Sequence, residues 1–166
     1  MKKLLIVRHA KSSWEHHLND HDRPLNERGI SDAHLVSNHL NANDLAIDLA
    51  ISSDAVRAKT TANIFVENLH IQPSIFHVEP DLYDFSGNNL IRIIKNCDNR
   101  VHNLMVFGHN HAITAFVNTF GDRYIENVPT CGVVTIVFDV DRWQDLTKGK
   151  TISALFPRDL KNDPSF

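Results

Sequence analysis

Short apolar runs of strand length alternate with helix-period segments over most of this chain, and that alternation narrows the fold before any single residue is weighed. Residues 4–7, 45–51 and 104–107 are compact apolar runs of the kind buried on both faces of a sheet, and residues 74–78 read as a shorter strand. Between them lie segments with helical spacing. Ala33, Leu35, Val36 and Leu40 form one apolar face, with Ser31 as the expected N-cap and an expected end near residues 41–43. Ser53 or Asp54 is expected to cap the next helix, which carries Ala55, Val56, Ala58, Ala62, Phe65, Val66 and Leu69. Residues 87–96 and the segment with Ile113, Phe116, Val117 and Phe120 supply two more. Residues 132–138, rich in β-branched side chains, and 151–156 complete a six-strand expectation. The pattern predicts an α/β protein, a three-layer α/β/α sandwich with a mostly parallel central sheet. One domain is expected over residues 1–166, with a polar, loosely held tail over 157–166.

Composition bounds the function. Apolar residues make up 42% and charged residues 22% of the 166, ordinary for a globular protein with a real core. A net charge of −3 gives no general attraction for nucleic acid or an anionic membrane, so neither is an expected partner. Any anion site must be built locally, from a few converging cations. Cys97 and Cys131 are too few for a disulfide framework and form no metal-ligand pair; they read as buried thiols in a reducing compartment. The apolar run after Met1 stops at Arg8, too short for a signal peptide, and no stretch approaches the roughly 18 apolar residues of a membrane span. A cytoplasmic location is expected.

In an open α/β sheet, ligands bind beyond the carboxyl ends of the strands. Three segments place polar residues there: Arg8-His9 after the first strand, Ser52-Ser53 with Arg57 after the second, and Gly108-His109 after the fourth. Two Arg and two His converging at one crevice would make an anion trap, because the guanidinium fork bonds two phosphate oxygens at once. The N-terminus of the Arg57 helix adds to the attraction. A neutral imidazole is a competent nucleophile toward phosphorus. Nearby arginines would keep His9 unprotonated and would stabilise charge on the transferring phosphoryl group. His109 and His111 form a His-x-His pair, but no carboxylate or Cys cluster completes a metal site, so neither a metal nor a cofactor is expected. The remaining histidines read as surface, and Trp14 as a packing residue.

At these positions the chain resembles the histidine phosphatase superfamily, also called phosphoglycerate mutase-like. Arg8-His9-Ala10 is similar to the family's Arg-His-Gly, with an extra methyl at Ala10. Ser52-Ser53 through Arg57-Ala58 to Thr61-Ala62, Gly108-His109-Asn110 and Arg23-Pro24-Leu25 resemble further family blocks, in family order. Pro129-Thr130-Cys131-Gly132 resembles a late segment of the SixA-type phosphohistidine phosphatases. The resemblance implies that His9 becomes phosphorylated and that Arg8, Arg57 and His109 bind the phosphoryl group. Ser12 is a further candidate donor to phosphate, or a shaper of its loop.

Mutase-type members place an acid after the third strand. Here Asp84 aligns nearest to it and is the candidate proton donor, with a loop or capping role as the alternative. Imidazole, with a pKa near 7, leaves phosphorus more easily than an alcohol, so a phosphohistidine substrate needs less acid assistance. The short interval between Asp84 and His109 leaves no room for a long covering insertion, which predicts an open site. The expected activity is a phosphohistidine phosphatase acting on phosphorylated proteins. The alternatives are a phosphatase of small phosphate esters and a non-catalytic phosphate-binding module. The sequence carries no signal for oligomeric state.

Overall fold

The structure is a computed structural model and describes residues 1–41 and 45–162. Six strands, β1 (Lys2–Arg8), β2 (Leu49–Ser52), β3 (Phe76–Val78), β4 (Asn103–Gly108), β5 (Val133–Phe138) and β6 (Lys150–Leu155), form one sheet in the order β3-β2-β4-β1-β5-β6. The first four are parallel to one another. β5 runs antiparallel to β1, and β6 antiparallel to β5, so the sheet is mixed. Helices α1 (Glu27–Asn41), α2 (Val56–Asn68) and α5 (Pro157–Lys161) cover one face, and α3 (Asn88–Lys95) and α4 (Ala112–Phe120) the other.

The period of two in β1 divides its side chains between two cores. Leu4 and Ile6 join Ile94, Ile113, Phe116 and Val117 on one side; Leu5 and Val7 join Ala33, Val36, Ala62 and Phe65 on the other. All four β1 residues are essentially solvent-free, each contributing roughly 1.5–3 kcal/mol of burial. The run ends at Arg8 because the next residues leave the sheet at its carboxyl edge, where charge can be used.

Several local expectations are corrected. Helix α1 begins four residues before Ser31. Asn26 is its effective cap, its Oδ1 accepting from Gly29 N–H at 2.8 Å. Gly29 therefore lies inside the helix, where a Cβ would overlap the carbonyl oxygen of Lys11. The expected helix end at residues 41–43 lies partly outside the described residues; the described helix runs through Asn41. β2 starts at Leu49, not residue 45. Asp48 holds the amides of His102 and Asn103 at the start of β4, and Leu45 and Ile47 pack against the core from a loop. Neither Ser53 nor Asp54 is the N-cap of α2; Ala55 stands there without a side-chain cap. The expected loose tail is instead a short docked helix as far as it is described. Pro157 and Leu160 are buried, and Lys161 pairs with the buried Asp32 of α1 at 2.7 Å. Residues 163–166 lie outside the described residues. Among the described residues, no helix is long and apolar enough to cross a membrane.

Candidate active site

The register of the sheet builds the site. Arg8 of β1 pairs with Gly108 of β4, so the residues that follow, His9 and His109, emerge side by side at the carboxyl edge. Their rings lie 5.2 Å apart. His9 N–H donates to the Gly108 carbonyl at 3.1 Å, which ties the two strand ends together. Arg57, on the first turn of α2, reaches the same point from the neighbouring strand β2.

His9 is held in one tautomer. Its Nδ1 lies 2.7 Å from the Ala10 carbonyl, which can only accept, so Nδ1 carries the proton. Nε2 keeps its lone pair, and Arg57 Nε–H reaches toward it at 3.4 Å. Burial, reinforced by Arg57, Arg8 and Arg23, lowers the His9 pKa to about 3 against the opposing pull of the Ala10 carbonyl. The loop behind it is pinned by Thr61 of α2, which accepts from Ala10 N–H at 3.0 Å and donates to the Arg57 carbonyl at 2.8 Å.

His109 is also buried and neutral. Burial first, then His9 and Arg57, bring its pKa to about 3. Its Nε2 bonds Ser53 Oγ at 2.8 Å, and that oxygen also accepts from Ala55 N–H. Its Nδ1 is buried with no hydrogen-bond partner among the described residues. Arg8 spends one nitrogen on the Val128 carbonyl at 2.9 Å and leaves its buried Nε unpartnered. Burial, then Arg57, lowers the Arg8 pKa from its ordinary value. Arg8, His9, Ser12, Arg23 and Arg57 together line a cleft of about 260 Å³. A neutral imidazole nitrogen facing several guanidinium groups is equipped to bind a tetrahedral oxyanion and attack its central atom.

The sequence model of the histidine phosphatase superfamily (branch 1) matches residues 4–90, a span that includes Arg8, His9 and Arg57. The chain belongs to this superfamily. An uncharacterized protein of Mycobacterium tuberculosis is 30% identical over 153 residues, covering 86% of this chain and 93% of its own. An uncharacterized chloroplastic protein of Arabidopsis thaliana is 29% identical over 154 residues, covering 87% of this chain and 70% of its own. Among solved structures, the protein histidine phosphatase SixA complexed with tungstate superposes with a TM-score of 0.81 at 20% identity, over 95% of this chain and 99% of that one. Phosphoglycerate mutase from Bacillus anthracis superposes with a TM-score of 0.69 at 17% identity, over 96% and 95%. These structural likenesses are of the fold. Membership of the histidine phosphatase superfamily supports phosphatase activity.

Not every residue picked out from the sequence of this histidine phosphatase meets the cleft. Asp84 is buried and occupied elsewhere. Its two oxygens accept from the amides of Ser86, Gly87 and Leu90 and from Ser86 Oγ, closing the turn into α3. Burial would raise its pKa, but those bonds, led by Leu90 and Gly87, outweigh it and hold the carboxyl below its ordinary value. It does not line the cleft. Ser12 does, but its hydroxyl accepts from Arg23 Nη2 and so holds an arginine. Trp14 is not a packing residue: it stands 74% exposed at the cleft, with the Arg23 guanidinium 3.3 Å from its ring centre.

Two residues were missed as site members. Arg23 is buried at the cleft and donates to the Ser13 carbonyl and to Asp20 Oδ1 at 3.0 Å. Its place in the Arg-Pro-Leu block was the available signal. Asp20, in a single 3-10 turn (Asp20–Asp22), bonds Arg23, Arg57 Nη2 at 2.9 Å and the Tyr83 hydroxyl at 2.5 Å. Burial raises its pKa, but Tyr83, Arg57 and Arg23 together bring it to about 2. Nothing in the local sequence singles Asp20 out from its acidic neighbour Asp22. Among the described residues, no group of three or more His, Cys, Asp or Glu is disposed to hold a metal ion.

Proposed function

We propose that this protein is a phosphohistidine phosphatase that acts on phosphorylated proteins through a phosphohistidine intermediate on His9. The observation that carries the proposal is the unprotonated Nε2 of His9, oriented by Ala10 and lying beside Arg57 in a cleft lined by Arg8 and Arg23. Arg8, Arg57 and Arg23, which line the cleft, bind the phosphoryl oxygens and stabilise their charge during transfer, and His109, which does not line it, offers its buried, unpartnered Nδ1.

In the first step a bond forms between His9 Nε2 and phosphorus as the bond from phosphorus to the substrate imidazole breaks. The departing imidazole takes a proton from solvent. In the second step water attacks phosphorus, loses a proton, and His9 Nε2 leaves with its lone pair restored. Asp84 takes no part in proton transfer in this scheme, since both its oxygens accept hydrogen bonds from the turn into α3. An imidazole leaving group tolerates that absence far better than an alkoxide would. The SixA likeness and the short interval from Asp84 to His109, most of it taken up by α3 and β4, favour a phosphorylated side chain on a folded protein. The buried free thiols Cys97 and Cys131 support a reducing, cytoplasmic setting.

Trapping of acid-labile phosphate tests the proposal. Wild-type protein incubated with a phosphoramidate donor is expected to carry labelled phosphate, and His9→Ala to carry none. Labelling of both proteins, or of neither with any phosphodonor, overturns the nucleophile assignment. Faster turnover of an alkyl phosphate ester than of phosphohistidine overturns the substrate class.

A further inference from the structure

The cleft is cationic and polar at its floor, yet two large aromatic side chains stand at its rim. Trp14 is 74% exposed and Phe85 45% exposed, and both line the same cleft as His9 and Arg57. A single exposed apolar side chain is ordinary, but these two share one cleft with the nucleophile, where a ligand can reach both. We infer that Trp14 and Phe85 are the specificity walls that grip the flat ring of a phosphorylated imidazole. The inference rests on the phosphohistidine reading above and names the groups that recognise the leaving ring.

Three observations converge on it. The first is direction. His9 is only 7% exposed, so the nucleophile sits at the floor. In-line displacement sends the leaving group away from the attacking nitrogen, toward the open side where the two aromatic rings stand.

The second is rigidity. The Arg23 guanidinium lies 3.3 Å from the centre of the Trp14 ring, and Arg23 is itself tied to Ser12, Ser13 and Asp20. The Phe85 ring stands 5.1 Å from that of Tyr83 and 5.2 Å from that of His109. Walls held in place before binding lose little freedom when a ring stacks on them.

The third is chemistry. An imidazole has a face to stack and takes a proton as it departs. The electron pair of the broken bond stays on the ring nitrogen, so the proton gives a neutral imidazole, an aromatic ring that stacks on an indole or phenyl face. The walls hold the ring by stacking before and during its departure, which lowers KM and so raises kcat/KM. Ammonia or an alkyl alcohol offers no such face.

Steady-state turnover of N-phosphoimidazole and of phosphoramidate separates the possibilities, since both break a phosphorus–nitrogen bond and only one carries a ring. In Trp14→Ala and in Phe85→Ala, kcat/KM for phosphoimidazole is expected to fall roughly 3- to 10-fold. Phosphoramidate kcat/KM is expected to fall less, so that the ratio between the two compounds drops, and Trp14→Phe to retain most of the ring preference. Equal losses on both compounds would mean that the rings act only by holding Arg23 and His109, and would overturn the inference. Unchanged turnover of both overturns it as well. If the wild type turns over neither compound, the phosphatase reading has failed, and calorimetric titration judges the walls by themselves. Weaker binding of phosphoimidazole in Trp14→Ala, with inorganic phosphate binding unchanged, supports them; equal binding of phosphoimidazole by both proteins overturns them.

Discussion

His9 and His109 follow directly after paired residues of two adjacent parallel strands, and their rings stand 5.2 Å apart although a hundred positions separate them in the chain. Each is neutral because it is buried; Arg57 further disfavours protonation of both, and His9 disfavours that of His109. The pair is thus a consequence of strand register as much as of side-chain chemistry.

That neutrality has a measurable consequence for stability. Both folded-state pKa values, about 3, lie below the ordinary histidine value of 6.5. Between those limits the unfolded chain binds protons that the folded chain refuses. The contribution is therefore fully present above the ordinary value and is lost as pH falls through the window from 6.5 toward 3. Urea midpoints taken from about pH 7 down to about pH 4 should fall steadily, and more gently in His109→Asn. A flat midpoint across that range would contradict neutral burial.

Asp84 separates a structural role from a catalytic one. Asp84→Ala removes the acceptor for three backbone amides at the start of α3 and is expected to lose about 1–2 kcal/mol of stability in denaturant titration. Turnover of phosphohistidine by the folded variant should stay near the wild-type level. The stability difference between wild type and variant should shrink as pH falls below the ordinary carboxylate value of 3.8, because the folded-state pKa is depressed. A large loss of kcat without a loss of stability would return Asp84 to proton transfer.

Asp20 competes for the cations that the proposed mechanism needs. Its carboxylate engages both Arg23 and Arg57. The pair is half-exposed on the Asp20 side, so each contact is worth only ~0.2–1 kcal/mol. Asp20→Asn should bind inorganic phosphate roughly 2- to 5-fold more tightly, the same energy converted to affinity. Calorimetry at low and high salt checks this, and weaker binding would assign Asp20 to holding the arginines in place.

Gly29 reports on how closely α1 approaches the loop after His9. An exposed helix glycine replaced by alanine ordinarily gains about 1 kcal/mol. Here the new Cβ would overlap the Lys11 carbonyl, a backbone atom that also accepts from Asn26 N–H. Forced displacement of a packed backbone costs about 1–3 kcal/mol, so the clash decides the sign. Gly29→Ala should be less stable than wild type in urea and slower to form the phosphoenzyme, because Lys11 lies two residues from His9.

Much of the fold was legible because its causes are local. The buried runs of β1 and β4 and the apolar faces of α2 and α4 appear as periodicity, and periodicity follows from which side of a strand or helix meets the core. Element ends were less legible. Ser31 has the chemistry of a cap, but Asn26 takes the Gly29 amide while its own amide donates to the Lys11 carbonyl, so the helix starts at the earlier residue. Leu45 and Ile47 look like strand residues, but Asp48 binds amides at the start of β4 and delays entry into the sheet.

For the candidate site, the sequence by itself determined the residue types: a histidine and an arginine at a strand end, an arginine in the first turn of a helix, and a second histidine after a glycine. These can be read because each is placed by its own segment. Only the tertiary structure decided the rest. It put Arg23 beside Trp14, turned Asp20 toward two arginines, and gave Asp84 to the cap of α3. Those assignments depend on which groups meet across loops distant in sequence, and on burial that weakens or strengthens each charge. Neither the direction of a side chain nor the dielectric around it is written in a local pattern.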